Sequence, residues 1–170
     1  MTTIIALLRA VNVLGSGNIT MADLKALCEA AGFANVRTYI ASGNVIFDSR
    51  ASPARIKARL EAALEPHVGR PIGVHVRSAS EMAEVAAKNP FPKKAPNRTV
   101  AIFLARAPAR DILESVRGRK NEEIRVVGRE IYVHYPDGIG KSRLIIPGAK
   151  EGTARNMNTV AKLSELAGQR

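Results

Sequence analysis

Val36-Arg37-Thr38-Tyr39-Ile40-Ala41-Ser42-Gly43-Asn44-Val45-Ile46-Phe47-Asp48 holds two short runs rich in β-branched and aromatic residues, Val36 to Ala41 and Asn44 to Asp48, joined at Ser42-Gly43. A glycine between such runs supplies the positive φ a tight turn needs, so the segment predicts a β-hairpin. Upstream, Thr3 to Val11 is a continuous apolar run, as expected of a central strand covered on both faces. Gly15-Ser16-Gly17-Asn18 breaks it. Thr20 is then placed to cap a helix carrying Met21, Leu24, Leu27 and Cys28 at helical spacing, and Gly32 ends that helix. Downstream of the hairpin, Ser52-Pro53 opens a second helix with Ile56, Leu60, Ala63 and Leu64 on one face. Pro71 to Arg77 alternates apolar and polar residues like a half-buried strand. The order is βαββαβ. Two right-handed split βαβ units in that order give a four-stranded antiparallel sheet with both helices on one face, the ferredoxin-like arrangement.

Ser78 to Lys88 reads as a short amphipathic helix, and the stretch from Asn89 to Pro96 carries three prolines in eight residues. Beyond it, Thr99 to Ala105 predicts a strand, Pro108 to Val116 a helix, and Glu122 to Val127 with Glu130 to Tyr135 two strands around Gly128-Arg129. This repeats the first half's order. After Tyr135 the pattern loses regularity up to Gly152, before a last helix with Val160, Leu163 and Leu166 on one face. A fourth strand for this half is not evident, and Leu144 to Ile146 is the one candidate. The expected architecture is α+β: a first ferredoxin-like half over residues 1–77, a connecting helix and Pro-rich linker over 78–98, and a second, irregular ferredoxin-like half over 99–170.

Composition bounds the function. A chain of 170 residues buries roughly 70% of its unfolded surface, and its 46% apolar and 24% charged content is that of a globular protein, neither disordered nor fibrous. The single cysteine, Cys28, forbids an internal disulfide and lies on the apolar face of the first helix, where an inert core thiol is expected. The run Ile4 to Leu8 is too short to span a bilayer, and Met1-Thr2-Thr3 lacks the positive flank of a signal peptide, so a cytoplasmic location without membrane contact is expected. His67, His75 and His134 lack metal-site spacing, and no Gly-x-Ser-x-Gly elbow exists, so neither a metal, a cofactor nor a covalent nucleophile is expected. Charge is the unusual feature. Lys and Arg number 26 against 15 Asp and Glu, a net +11. Residues 1–77 carry +4 (9 basic, 5 acidic) and residues 78–170 carry +7 (17 basic, 10 acidic), a field that attracts polyanions before any specific contact forms.

The motifs resemble those of a known family. Leu7-Leu8-Arg9-Ala10-Val11-Asn12-Val13, Met21-Ala22-Asp23-Leu24, Gly32-Phe33 and Thr38 to Phe47 look like the opening of domain-of-unknown-function family 1697. Tyr135-Pro136-Asp137-Gly138 with Ser142, and Thr153 to Thr159 with Lys162-Leu163, are similar to its closing motifs. Met157 departs from the Trp frequent in the family, and Leu14 from the common Gly. The resemblance implies two ferredoxin-like halves and no established activity.

Three groups of residues are candidates for anion binding. In the ferredoxin-like order the loop after strand one and the hairpin after strand two emerge at one end of the sheet, making Arg9, Asn12, Ser42, Gly43 and Asn44 neighbours. Arginine offers a planar fork for phosphate or carboxylate, and the amides offer donors and acceptors. The competing reading is that Gly43 only makes the turn and the two asparagines only satisfy loop backbone. Arg155, Asn156, Asn158 and Thr159 are expected at the start of the last helix, where free N–H groups and the dipole favour an anion. There the alternatives are a cap at Thr153 or Asn156, and an Arg155 bonded to its own protein's carbonyls. Gly138-Ile139-Gly140-Lys141-Ser142 resembles the end of a P-loop, but Tyr135 stands where that motif needs Gly and Pro147 interrupts the helix it needs. Lys141 and Ser142 remain candidates, on a basic, flexible loop whose Lys141 and Arg143 are expected to contact an anionic partner.

Three function classes follow. The first, and the one charge favours, is a non-catalytic nucleic-acid-binding module that engages the phosphate backbone. With four Phe, three Tyr and no Trp, base stacking on a sheet has little support. The second is a small-anion binding protein or enzyme, taking a phosphate or carboxylate at an Arg/Asn site between the halves. The third is an interaction domain whose polar motifs lock the halves together.

Overall fold

The computed structural model describes residues 1–12 and 18–169. The break predicted at Gly15-Ser16-Gly17, and Leu14 beside it, lie outside the described residues. The chain divides into two compact units, Met1–Met82 with Leu163–Arg170, and Ala83–Lys162. No helix of the described residues is long and apolar enough to cross a membrane.

In the first unit β1 (Thr2–Leu8), α1 (Met21–Ala30), β2 (Ala34–Thr38), β3 (Asn44–Ser49), α2 (Pro53–Val68) and β4 (Val74–Ser78) follow the predicted βαββαβ order. The sheet runs β2-β3-β1-β4 with every pairing antiparallel. Both helix starts are capped as the sequence predicts. Thr20 Oγ1 accepts from Asp23 N at 3.0 Å, and Ser52 Oγ accepts from Arg55 N at 3.3 Å ahead of Pro53. On one face of the sheet Ile4, Ala6 and Leu8 meet Leu24 and Cys28 of α1 and Ile56, Leu60 and Leu64 of α2, with Phe33 stacked on Phe47 at 4.2 Å. Each Ile, Leu or Phe side chain among them contributes about 1.5–3 kcal/mol when fully buried. Ile5 and Leu7, on the other face, are equally buried, so β1 is covered on both sides. Burial also pushes the Cys28 thiol up to about 12, which leaves it protonated and inert. β1 is shorter than the run Thr3 to Val11, because Ala10 and Asn12 take positive φ and turn the chain.

The second unit holds β5 (Thr99–Phe103), β6 (Glu123–Val127), β7 (Glu130–His134) and β8 (Thr153–Asn156), in the order β6-β7-β5-β8, which is the first sheet's order repeated. Two expectations are corrected. The fourth strand is β8, and Leu144 to Ile146 contributes only an isolated bridge, Arg117 to Ile145. β8 escapes sequence reading because Thr-Ala-Arg-Asn is four residues long with one β-branched side chain. The helix predicted over Pro108 to Val116 is a single 3₁₀ turn, Ile112–Ser115. Ile112 is buried, Val116 only partly so and Leu113 is exposed, which is too little of an apolar stripe to offset helix nucleation. The Pro-rich residues 89–96 belong to this unit, with Phe91 buried.

The repeat extends to its last elements. α3 (Ala79–Ala87) follows β4 directly, and α4 (Met157–Gly168) follows β8 directly. Ser78 caps α3 in a capping box with Glu81, and Asn156 Oδ1 caps α4 by accepting from Thr159 N at 2.9 Å. One residue before each cap stands a buried arginine. Arg77 pairs with Ile5 of β1, and Arg155 with Ala101 of β5. Both donate to the carbonyl of the preceding residue, Val76 at 3.0 Å and Ala154 at 2.9 Å.

Candidate functional site

The first unit brings its predicted rim together. Leu8 N donates to Gly43 O at 2.8 Å, Arg9 N to Gly73 O at 2.9 Å, and Arg70 Nη2 to Ala10 O at 2.7 Å. The amides face inward. Asn12 Nδ2 donates to Ile19 O and Ala41 O, both at 2.9 Å, while its Oδ1 accepts from Ile19 N. Asn44, fully buried, donates to Tyr39 O and to Ser42 Oγ, both at 2.9 Å. A Cβ on Gly43, whose φ is +89°, would stand 2.6 Å from Val11 Cγ2 and 2.9 Å from Leu8 Cβ. Asn12, Ser42, Gly43 and Asn44 therefore hold two loops in register with their polar atoms turned to the chain itself. Asn44→Ala removes the amide that donates to Tyr39 O and to Ser42 Oγ and leaves the half-buried Tyr39 carbonyl short of a donor. The expected result is a loss of about 1–3 kcal/mol in chemical denaturation.

In the second unit Arg155 lies on β8, one strand before the helix start at which sequence placed it, because α4 begins only at Met157. Its Nη1 donates to Thr153 Oγ1 at 2.8 Å and to Ala154 O, and burial lowers its pKa to about 10, which leaves it cationic at neutral pH. Asn156 is the helix cap, Thr159 is buried behind it, and Asn158 is exposed.

Lys141 and Ser142 lie in a different setting. The loop before β6 (residues 116–122) and the loop after β7 (residues 135–146) come together through Arg117 N to Ile145 O at 2.9 Å and Ile145 N to Arg117 O at 2.8 Å. Between them opens a cleft of about 680 Å³. Four cations line it, Arg98, Lys120, Lys141 and Arg143, against two carboxylates, Glu122 and Asp137.

Both carboxylates serve the loops. Glu122, only 4% exposed, accepts from Lys120 N at 2.7 Å and Asn121 N at 3.1 Å through Oε1, and from Ser142 Oγ at 2.5 Å through Oε2. Asp137 accepts from Asn121 Nδ2 at 3.0 Å, with Lys120 Nζ at 4.0 Å. The hydroxyl of Ser142, with the backbone amide of Lys120 next, holds the Glu122 carboxyl down at about 2 from its ordinary 4.5. Half-buried Tyr135 has its phenol pKa raised by burial first and by Glu122 second. A depressed carboxylate stabilises the fold above its unfolded pKa and loses that contribution as pH falls through the folded value. The midpoint gap between wild type and Glu122→Gln is therefore expected to be constant above pH 5 and to shrink between about 4.5 and 2, read by thermal melts.

The cleft's cations differ in what holds them. Arg98 Nη1 donates to Pro136 O at 2.5 Å. Exposed Lys141 and Arg143 have no side-chain hydrogen bond or ion pair among the described residues. The surrounding unit carries 16 Lys and Arg against 8 Asp and Glu, so the field of the whole unit reinforces the cleft. Of these residues Lys141, Ser142 and Arg143 stand out in the sequence, while Glu122, Arg98 and Lys120 carry no role there. The available signal is the run Arg117-Gly118-Arg119-Lys120, a glycine among three cations just before a strand.

A family model described as a protein of unknown function, DUF1697, matches residues 1–132. A solved structure, described as that of the conserved bacterial protein SP0830 from Streptococcus pneumoniae, is similar over 98% of this chain and 98% of its own, with a TM-score of 0.77 and 23% identity. At that identity the likeness is one of fold. No curated protein matches.

Proposed function

Since the chain belongs to the DUF1697 family, whose description names no activity, we propose a function from its own chemistry: non-catalytic binding of a nucleic-acid phosphate backbone in the second unit's cleft. The observation that carries this reading is the pair Lys141 and Arg143, exposed beside Arg98 and Lys120 and engaged by no carboxylate among the described residues. Glu122 and Asp137 stay anionic, but four cations outnumber them in the lining, and the oxygens of Glu122 accept from three donors of the loops. The cleft is open and polar, suited to a strand passing through it and poorly suited to enclosing a small apolar ligand. Phosphate contacts of this kind give affinity without base specificity.

The test is a fluorescence-anisotropy titration of labelled single-stranded RNA and DNA across a salt series. Four phosphate contacts predict a log–log slope of about −3 and a Kd of about 10⁻⁴ to 10⁻⁶ M at physiological salt. Binding with no salt dependence, or none at low salt, contradicts the reading.

A further inference from the structure

On the first unit, we infer a second anion site that takes a compact phosphate group at Arg50, Arg55 and Arg59. These three line one cavity of about 370 Å³ beside the start of α2. Among the described residues none of the three guanidiniums has a hydrogen bond or an ion pair. The one carboxylate in the wall, Asp48, is taken on both oxygens, by Thr3 Oγ1 and by Asn35 Nδ2, each at 2.8 Å.

The placement of these charges works against the isolated fold. Arg55 and Arg59 are one turn apart on α2, where like charges repel. Arg55 also stands in the first turn, which contains no acidic residue, so its charge faces the positive end of the helix dipole. An anion seated among the three relieves both costs at once. The helix end itself adds little, because Pro53 has no N–H and Ser52 already occupies the N–H of Arg55.

The chemistry selects the ligand. Guanidinium forks match phosphate oxygens two at a time, and three cations suit a dianionic phosphomonoester better than a singly charged carboxylate. The volume sits at the low end for ligand pockets, enough for a phosphate and part of its substituent. This site shares no lining residue with the cleft in the second unit.

The experiment is calorimetric titration of the full chain with inorganic phosphate at matched ionic strength, then with a short oligonucleotide bearing either a 5′-phosphate or a 5′-hydroxyl. The Lys141→Ala/Arg143→Ala variant is the background for the oligonucleotide arm, which separates this site from the cleft. Phosphate is expected to bind wild type and that variant alike. Arg55→Gln/Arg59→Gln and Arg50→Gln are expected to weaken it by about tenfold for each guanidinium removed. Without phosphate, Arg55→Gln/Arg59→Gln should melt no lower than wild type, which shows that the loss is not unfolding. If orthophosphate saturates the site as tightly as the 5′-phosphate oligonucleotide, the ligand is a free phosphate. If the 5′-phosphate form binds at least tenfold tighter than both, it is a nucleic-acid end. No heat above the ionic-strength control, or equal affinity in the arginine variants, overturns the inference.

Discussion

Replacing Gly118 with alanine is expected to lower the unfolding midpoint of the second unit by at least about 12 °C and to abolish polyanion binding in its cleft. Gly118 has φ +70°, and an added Cβ would stand 2.0 Å from the carbonyl oxygen of Arg143 and 2.8 Å from its carbonyl carbon. Both are backbone atoms, so no side-chain rotation relieves the overlap. The two loops must part, which breaks the paired hydrogen bonds between Arg117 and Ile145. Positive φ at alanine costs about 1–3 kcal/mol and two backbone hydrogen bonds about 1 kcal/mol each, hence about 3–5 kcal/mol and a drop of that size. Gly140→Ala, in the same loop but with nothing within 4 Å of its Cβ, is the control and should melt near wild type.

The second large effect is on binding. Lys141→Ala/Arg143→Ala removes the two cations that no carboxylate among the described residues engages, and both side chains are exposed, so the fold should be untouched. For single strands each phosphate contact contributes about 0.7 to the salt slope, so the slope should fall by about 1.4 and affinity by about 25-fold at 0.1 M salt. Arg9→Ala, in the first unit, should change neither by more than its share of net charge. An unchanged slope in the double variant would place polyanion binding elsewhere.

The frame of the fold was legible because local signals agree. Ser42-Gly43 marks the connection between β2 and β3, Thr20 and Ser52 mark helix starts, and the uninterrupted run from Thr3 to Leu8 marks a strand buried on both faces. These rest on backbone geometry and periodicity, which neighbours in sequence carry. β8 was not legible, since four residues with one β-branched side chain are made a strand only by pairing with β5, some fifty residues away. The turn at Ile112 fails in the opposite direction: its helical spacing is real, yet Ile112 is buried while Val116 packs only partly against the same core and Leu113 is exposed.

The site follows the same logic. That Arg9, Asn12 and the Ser42–Asn44 segment are neighbours follows from topology, and the chain shows them so. The direction in which an amide points does not follow, because Asn12 reaches Ile19 and Asn44 reaches Tyr39 only once the loops are closed. Glu122 was illegible for a related reason. Its partner Ser142 is twenty residues away, and nothing in Glu122-Glu123 says which carboxylate turns inward.

Amide chemical shifts of the full chain during titration with a short single-stranded RNA locate directly whether the second unit's cleft binds the phosphate backbone. The largest shifts are expected at Gly118, Asn121, Gly138 and Ser142, reversed by added salt. Shifts concentrated instead at Arg9–Asn12 and Ser42–Asn44, or none at low salt, would contradict binding in that cleft.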